Sequence, residues 1–192
     1  MANLSLGELL KDYTPFDDIE AAMMAQLRTF LAALPEPQAA FERELAGASP
    51  NWGHVTGSAW VIYSDAAHVL MVHHAKLGIW VQPGGHCDGE SDVLAVACRE
   101  AREETGLEVV AVQPEIFDVD VHLIPEYWNT PAHFHYDVRF LLRAGSQAPP
   151  IANAESRAVR WVSLDEAAAL NPCPSITRMI DKTRLLNLRF GS

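Results

Sequence analysis

A chain of 192 residues, 49% hydrophobic and 20% charged with a mean hydropathy of +0.01, has the balance of a globular protein large enough to bury a core without disulfide or metal staples. Fourteen Lys plus Arg against 25 Asp plus Glu leave a net charge of −11, which repels polyanions and excludes nucleic-acid polymers and anionic membrane surfaces as bulk partners. A small phosphorylated metabolite stays open as a ligand if a divalent cation lies between it and the acidic protein.

The three cysteines, Cys87, Cys98 and Cys173, form no CxxC pair, and this sparse set suits a reducing compartment. The stretch MANLSLGELLKDYTP lacks the basic and apolar regions of a signal peptide, and no run of 18 apolar residues occurs, so a cytoplasmic location is expected.

In chain order, Ser5 to Glu8 fits a capping box, and Ile19 to Leu34 reads as a helix behind Asp17 and Asp18. It places Ile19, Met23, Leu27, Phe30, Leu31 and Leu34 at helical spacing and is ended by Pro35 and Pro37. This apolar stripe needs a cover, against the rest of the chain or in a homodimer. Gly47 to Gly53 reads as a turn or linker, separating an N-terminal helical extension (1–52), packed on the main domain, from that domain (53–192).

From Val55 the pattern turns to strands, VTGSAWVIY, HVLMVHH and IWVQP, followed by a Gly-rich turn and a helix from Asp92 to Thr105 stopped by Gly106. Strand patterns return at 107–112, 116–124, 132–142 and 158–162. Ser163 to Glu166 caps a short helix, and Ser175 is placed to cap a last one. Strands interleaved with a few helices indicate an α/β chain with a central mixed sheet covered by helices.

The 92–105 helix carries the chemistry. At about 100° per residue, Leu94, Ala97, Cys98 and Ala101 share an apolar stripe, while Glu100, Glu103 and Glu104 gather on another face. Like charges about 5–6 Å apart in a cleft of effective dielectric near 20 repel by roughly 3 kcal/mol, so the cluster calls for compensation. Arg99 and Arg102 supply part. Hard oxygen ligands beside the flexible Pro83-Gly84-Gly85 backbone suit Mg²⁺ or Mn²⁺. Taken alone, the same charges also describe a solvated helix face.

The surrounding register decides between these readings. Gly85 to Leu107, GHCDGESDVLAVACREAREETGL, resembles the Nudix box: a Gly, five residues, a Glu, seven residues, then Arg-Glu-apolar-x-Glu-Glu-x-Gly-apolar. The spacing holds at Arg99, Glu100, Ala101, Glu103, Glu104, Gly106 and Leu107. Ser91 stands where the first Glu belongs, with Glu90 just before it as a substitute.

The resemblance implies a Nudix-type α/β/α sandwich and Mg²⁺- or Mn²⁺-dependent hydrolysis of a pyrophosphate bond in a nucleoside diphosphate derivative. Glu100, Glu103, Glu104 and the Gly85 carbonyl would bind metal, with Glu100 or Glu103 also able to act as base and Arg99 orienting a glutamate by a salt bridge. A glutamate from a loop after the box serves as base in similar proteins, and Glu155 is the outside candidate here. A non-catalytic nucleotide-binding or regulatory module of the same fold is the alternative that the Ser91 departure keeps open. A prenyl diphosphate isomerase, needing a reactive Cys87, is a third.

Beyond the box, the strand AHFHYDVRFLL alternates, placing His133, His135, Asp137 and Arg139 on one face. Arg139 is the expected phosphate contact and His133 and His135 the base or sugar contacts. The His-x-His pair also suits a transition metal, but no third ligand is identifiable. Asp118, Asp120 and His122 form a similar face that could join this row. Lys76 is a further phosphate candidate, while Trp60 and Trp80 fit either base stacking or the core.

Overall fold

The computed structural model describes residues 5–43, 51–145 and 149–190. Helices α1 (Leu6–Asp12) and α2 (Asp18–Ala33) and a 3-10 turn (Pro37–Phe41) precede strands β1 (Gly53–Ile62), β2 (His68–His74), β3 (Trp80–Val81) and β4 (Gly84–His86). Helix α3 (Val93–Thr105), strands β5 (Val109–Ile124), β6 (His133–Ala144) and β7 (Ser156–Ser163), and helices α4 (Leu164–Leu170) and α5 (Pro174–Phe190) complete the order. Of the expected Gly47–Gly53 turn, residues 47–50 lie outside the described residues. Among the described residues, no helix is long and apolar enough to cross a membrane.

Among those residues, seven strands form one mixed sheet with the path β3-β2-β1-β6-β5, β4 pairing with β1 and β7 with β2. β1 runs parallel to β6, with Gly53 opposite Phe134 and His54 opposite His135; the other pairings are antiparallel. The pleat sends Val55, Ala59 and Val61 into a core shared with Leu27, Phe30, Val96 and Ala97 of α2 and α3. It sends Trp60 and Ile62 to the opposite core, with Leu164, Ile176, Met179 and Ile180 of α4 and α5. The result is the three-layer α/β arrangement expected from the alternating elements.

Local signals explain most boundaries. The Ser5–Glu8 capping box is formed, Asp17 caps α2, and Asp92 caps α3 through the Ala95 N–H. Gly106 ends α3 at φ 67°, a left-handed conformation that glycine adopts without Cβ crowding. Two strands expected at 107–112 and 116–124 are instead one, β5, with register shifts around Pro114, which has no N–H for the ladder. The last helix starts at Pro174, whose missing N–H is harmless in a first turn, so Ser175 lies inside it rather than capping it.

The stripe of α2 is also rotated from the expected one. Leu27 and Phe30 are buried, with Phe30 stacked on Tyr136 at 4.1 Å between ring centroids, but Ile19 is exposed and Glu20 is buried. Glu20 has specific partners: Oε1 accepts from the Val119 N–H at 2.9 Å and from Lys182 Nζ at 2.7 Å, and the Tyr13 hydroxyl also donates to it. A carboxylate with that many donors outweighs one isoleucine's burial, and it fixes α2 to β5 and α5.

Glu20 belongs to a larger charged layer on the α5 side of the sheet. Arg139 is 3% exposed and donates to Asp137 at 2.7 Å, Asp118 at 3.2 Å and Asp120 at 3.1 Å. Asp118, fully buried, also accepts from Arg178 at 2.7 and 2.8 Å and from Lys182 at 2.7 Å. The face shared by Asp118, Asp120, Asp137 and Arg139 is therefore as the alternation predicts. The expectation that Arg139 meets phosphate is corrected: every nitrogen of its guanidinium is committed inside the protein.

Burial alone would raise the Asp120 pKa, but Arg139, then His122 and Arg178, outweigh it and bring it down to about 2. A folded-state pKa below the ordinary 3.8 means that its stabilisation is complete above about pH 4 and fades as pH falls from 3.8 toward 2. Melting temperatures measured across that interval are expected to fall steeply. Arg139→Met leaves Asp118, Asp120 and Asp137 without their shared cation and is expected to cost about 3–5 kcal/mol in urea unfolding. A loss below about 1 kcal/mol would show that the network is dispensable.

Candidate active site

Helix α3 packs across β1, and β4 lies along the same strand, pairing Gly85 with Gly57 and Gly84 with Ser58. This arrangement presses the Gly84–Gly85 backbone against the carboxylate face of α3. The Gly84 N–H donates to Glu104 Oε2 at 3.2 Å. A Cβ at Gly85 would stand 2.6 Å from the Glu100 carboxyl carbon, so only glycine permits this approach.

The expected face of α3 is displaced by part of a turn. Val93, Val96, Ala97 and Ala101 are its buried apolar residues, whereas Leu94 and Cys98 are only half-buried. Glu104 is consequently buried at 6% exposure, Glu100 is half-buried and Glu103 is exposed. Burial raises the Glu104 pKa to about 7 against the Gly84 N–H, with Glu100, Glu155 and Glu103 adding to the rise. Burial likewise raises Glu100, opposed by Arg99 and reinforced by Glu103 and Glu155. Such a cluster of hard oxygen donors, ill-suited to ionise together, fits a divalent cation.

Arg99 Nη2 donates to Glu100 Oε1 and to the His86 carbonyl, both at 2.8 Å, tying the glutamate to the glycine turn. Ser91 is exposed, and Glu90 accepts from the Asp92 N–H at 2.8 Å. Glu90 therefore supports the start of α3. Asp92 and Ser91 instead border a cavity of about 760 Å³ also lined by Leu6, Leu10, Arg28 and Phe41, and by none of the three clustered glutamates.

Glu155, far away in sequence, is brought to the cluster by backbone ties. Asn153 donates to the Glu103 carbonyl at 3.2 Å, the Ile151 N–H to the Thr105 carbonyl at 2.8 Å, and the Ala75 N–H to the Glu155 carbonyl at 2.9 Å. The last bond also fastens the exposed turn bearing Lys76 to this loop. Trp60 is a core residue, its indole N–H donating to Thr183 at 2.9 Å. Trp80 is half-buried between His73, stacked at 4.9 Å, and the Arg160 guanidinium at 4.6 Å.

His133 and His135 do share a face, and their rings lie among other histidines. His133 is buried with Nδ1 2.8 Å from the Pro131 carbonyl, and His135 is half-buried, its ring centroid 4.9 Å from that of His54 and 5.1 Å from that of His86. Cys87 is buried and burial pushes its thiol up to about 12, which favours the protonated, weakly nucleophilic form.

Sequence reasoning missed Arg43, His54 and His86. Arg43 holds Asp88 with two 2.7 Å bonds at the glycine turn. His54 continues the parity of Thr56 and Ser58 in β1, but its neighbours come from a parallel pairing that no local pattern encodes.

A family model for the NUDIX domain matches residues 53–181. The human m7GpppN-mRNA hydrolase NUDT17 is 28% identical over 188 residues, a match covering 88% of this chain and 56% of that protein; the chain thus spans about half of that relative's length. A *Caenorhabditis elegans* Ap4A hydrolase in a binary complex superposes with a TM-score of 0.58 at 15% identity, covering 71% of this chain and 98% of that one. The *Escherichia coli* dihydroneopterin triphosphate pyrophosphohydrolase gives 0.51 at 18% identity, covering 67% and 92%. At these identities the structural likenesses concern the fold.

The close approach at Gly85 provides a test of the cluster. Gly85→Ala must displace Glu100 and is expected to weaken Mn²⁺ binding by about tenfold or more in calorimetry while the chain stays folded by circular dichroism. Unchanged Mn²⁺ affinity would separate Glu100 from any metal role.

Proposed function

This chain belongs to the NUDIX family, and we propose that it hydrolyses a pyrophosphate bond in a nucleoside diphosphate derivative or related small metabolite with the help of Mg²⁺ or Mn²⁺. The observation that carries the reading is the buried Glu104 and half-buried Glu100 pressed against the Gly84–Gly85 backbone, with Glu103 one step along the helix. Glu100, Glu103, Glu104 and the Gly85 carbonyl would hold the ion. When bound, it would neutralise diphosphate oxygens and lower the pKa of the attacking water.

The protein's own residues divide the remaining work. Arg99 orients Glu100 through their 2.8 Å contact and fixes the glycine turn through the His86 carbonyl. Glu155, exposed on its loop and electrostatically coupled to Glu100 and Glu104, is placed to take the proton of the attacking water. Lys76, on the turn tied to that loop, meets a substrate phosphate as a mobile cation. Positioning and charge compensation, rather than covalent chemistry, carry such a reaction.

NUDT17 is named for a cap hydrolase and the *C. elegans* protein for Ap4A hydrolysis, so both ligand types belong in a substrate panel. The net charge of −11 favours the small members over capped polymer. Incubation with a methylated cap dinucleotide, Ap4A, nucleotide sugars, coenzyme pyrophosphates and nucleoside triphosphates in Mg²⁺ or Mn²⁺ is expected to release products identifiable by mass. Saturable binding without any product would favour the non-catalytic alternative. Glu103→Gln is expected to lower turnover by about 100-fold or more while the melting temperature is unchanged or higher, because one like charge leaves the cluster. Full activity in that variant would reject the assignment of Glu103.

A further inference from the structure

Five histidines collect on one face of the sheet, on the β4 side of the buried ion layer. β1, β6 and β5 place His54, His135 and His122 opposite one another in adjacent strands, His133 lies two residues before His135, and β4 brings His86 opposite Thr56. The His54 ring centroid lies 4.8 Å from that of His86, 5.2 Å from that of His133 and 4.9 Å from that of His135. One potential ligand nitrogen from each of His54, His133 and His135 lies within 4.8 Å of the others.

Two features distinguish this cluster from ordinary aromatic packing. His54 is 2% exposed, and its ring nitrogens make no well-formed hydrogen bond among the described residues; the Arg43 backbone stands close enough only to favour a proton there. A buried polar group without a well-formed partner is costly, so the site retains a donor set open to a ligand. Meanwhile His133 gives its Nδ1 proton to the Pro131 carbonyl, which leaves Nε2 as a lone-pair donor facing inward and fixes the ring as outer partners fix metal-bound imidazoles.

We propose that His54, His133 and His135 form a second metal site, selective for a zinc-class transition ion and separate from the glutamate cluster. Imidazole nitrogens suit Zn²⁺ or Co²⁺ and not Mg²⁺, whereas the carboxylates of α3 are hard oxygen donors that also accept Mg²⁺. Nitrogens bound at about 2.05 Å in a tetrahedron lie about 3.3 Å apart, so ligand closure needs shifts of about 1.5 Å at most. Small side-chain rotations in the three rings supply them. His86, in ring contact with His54 and His135, borders the three rings. The proposal does not depend on the hydrolytic reading.

The test titrates chelator-stripped full-length protein with Co²⁺. A visible ligand-field band saturating at one ion per chain, displaced by Zn²⁺ but not by excess Mg²⁺, is expected. Outer-partner losses alone weaken metal binding by about 10- to 100-fold, so His133→Gln and His135→Gln are each expected to weaken Co²⁺ binding by about 100-fold or more. Glu103→Gln should retain the band. Its absence in the unaltered protein, its survival in both histidine variants, or its loss in Glu103→Gln would overturn the site. Zinc-soaked crystals of the unaltered chain provide a test independent of variant folding: an anomalous peak among the three rings supports the proposal, and a peak only at the glutamates, or none, overturns it.

Discussion

The parallel pairing of β1 with β6 is the constraint from which the other functional geometry follows. It sets His54 opposite His135 and turns Thr56 and Ser58 toward Asp137, to which they donate at 2.9 and 2.8 Å. The opposite edge of β1 accepts β4, while its other face receives α3 against Gly57, where a Cβ would reach Val93 and Val96. One strand thus positions the glycine backbone, the glutamate helix and the histidine row together. Parallel pairing needs a long crossover, so β6 and its histidines arrive from a distant part of the chain.

The polar layer behind this strand has a structural role that its charge pattern alone does not reveal. Arg139, Arg178 and Lys182 face Asp118, Asp120, Asp137 and Glu20, drawn from β5, β6, α2 and α5. Removing both members of such a buried pair can be neutral, but removing one strands a charge in low dielectric. The layer specifies how the helices seat on the sheet. It also ends the availability of Arg139 to a phosphate, leaving the exposed cation Lys76 at the loop beside Glu155.

The glutamate cluster and the histidine row represent two kinds of polar concentration on one scaffold. In the first, carboxylates repel one another, and a divalent ion would relieve that repulsion. In the second, imidazole rings accumulate around a buried histidine that has no well-formed hydrogen bond among the described residues. His86 lies between them, its carbonyl accepting from Arg99 and its ring touching His54 and His135. Adjacent sites built from hard and borderline donors can discriminate among ions by ligand chemistry without sharing a residue.

The box from Gly85 to Leu107 was readable in sequence because a helix converts spacings of three and four into a common face and its caps are local. For the same reason the capped starts of α1, α2 and α3 and the alternating face of β6 needed no knowledge of distant residues. Packing alone decided that Glu20 rather than Ile19 is buried, that Glu90 serves the helix start, and that Arg139 is enclosed by aspartates. The third histidine, His54, was invisible for a related reason: it is separated from His133 by 79 positions, and only inter-strand register makes them neighbours. Local periodicity fixes the direction of a side chain within its own element. The groups it meets depend on how that element is paired and buried, which belongs to the whole chain.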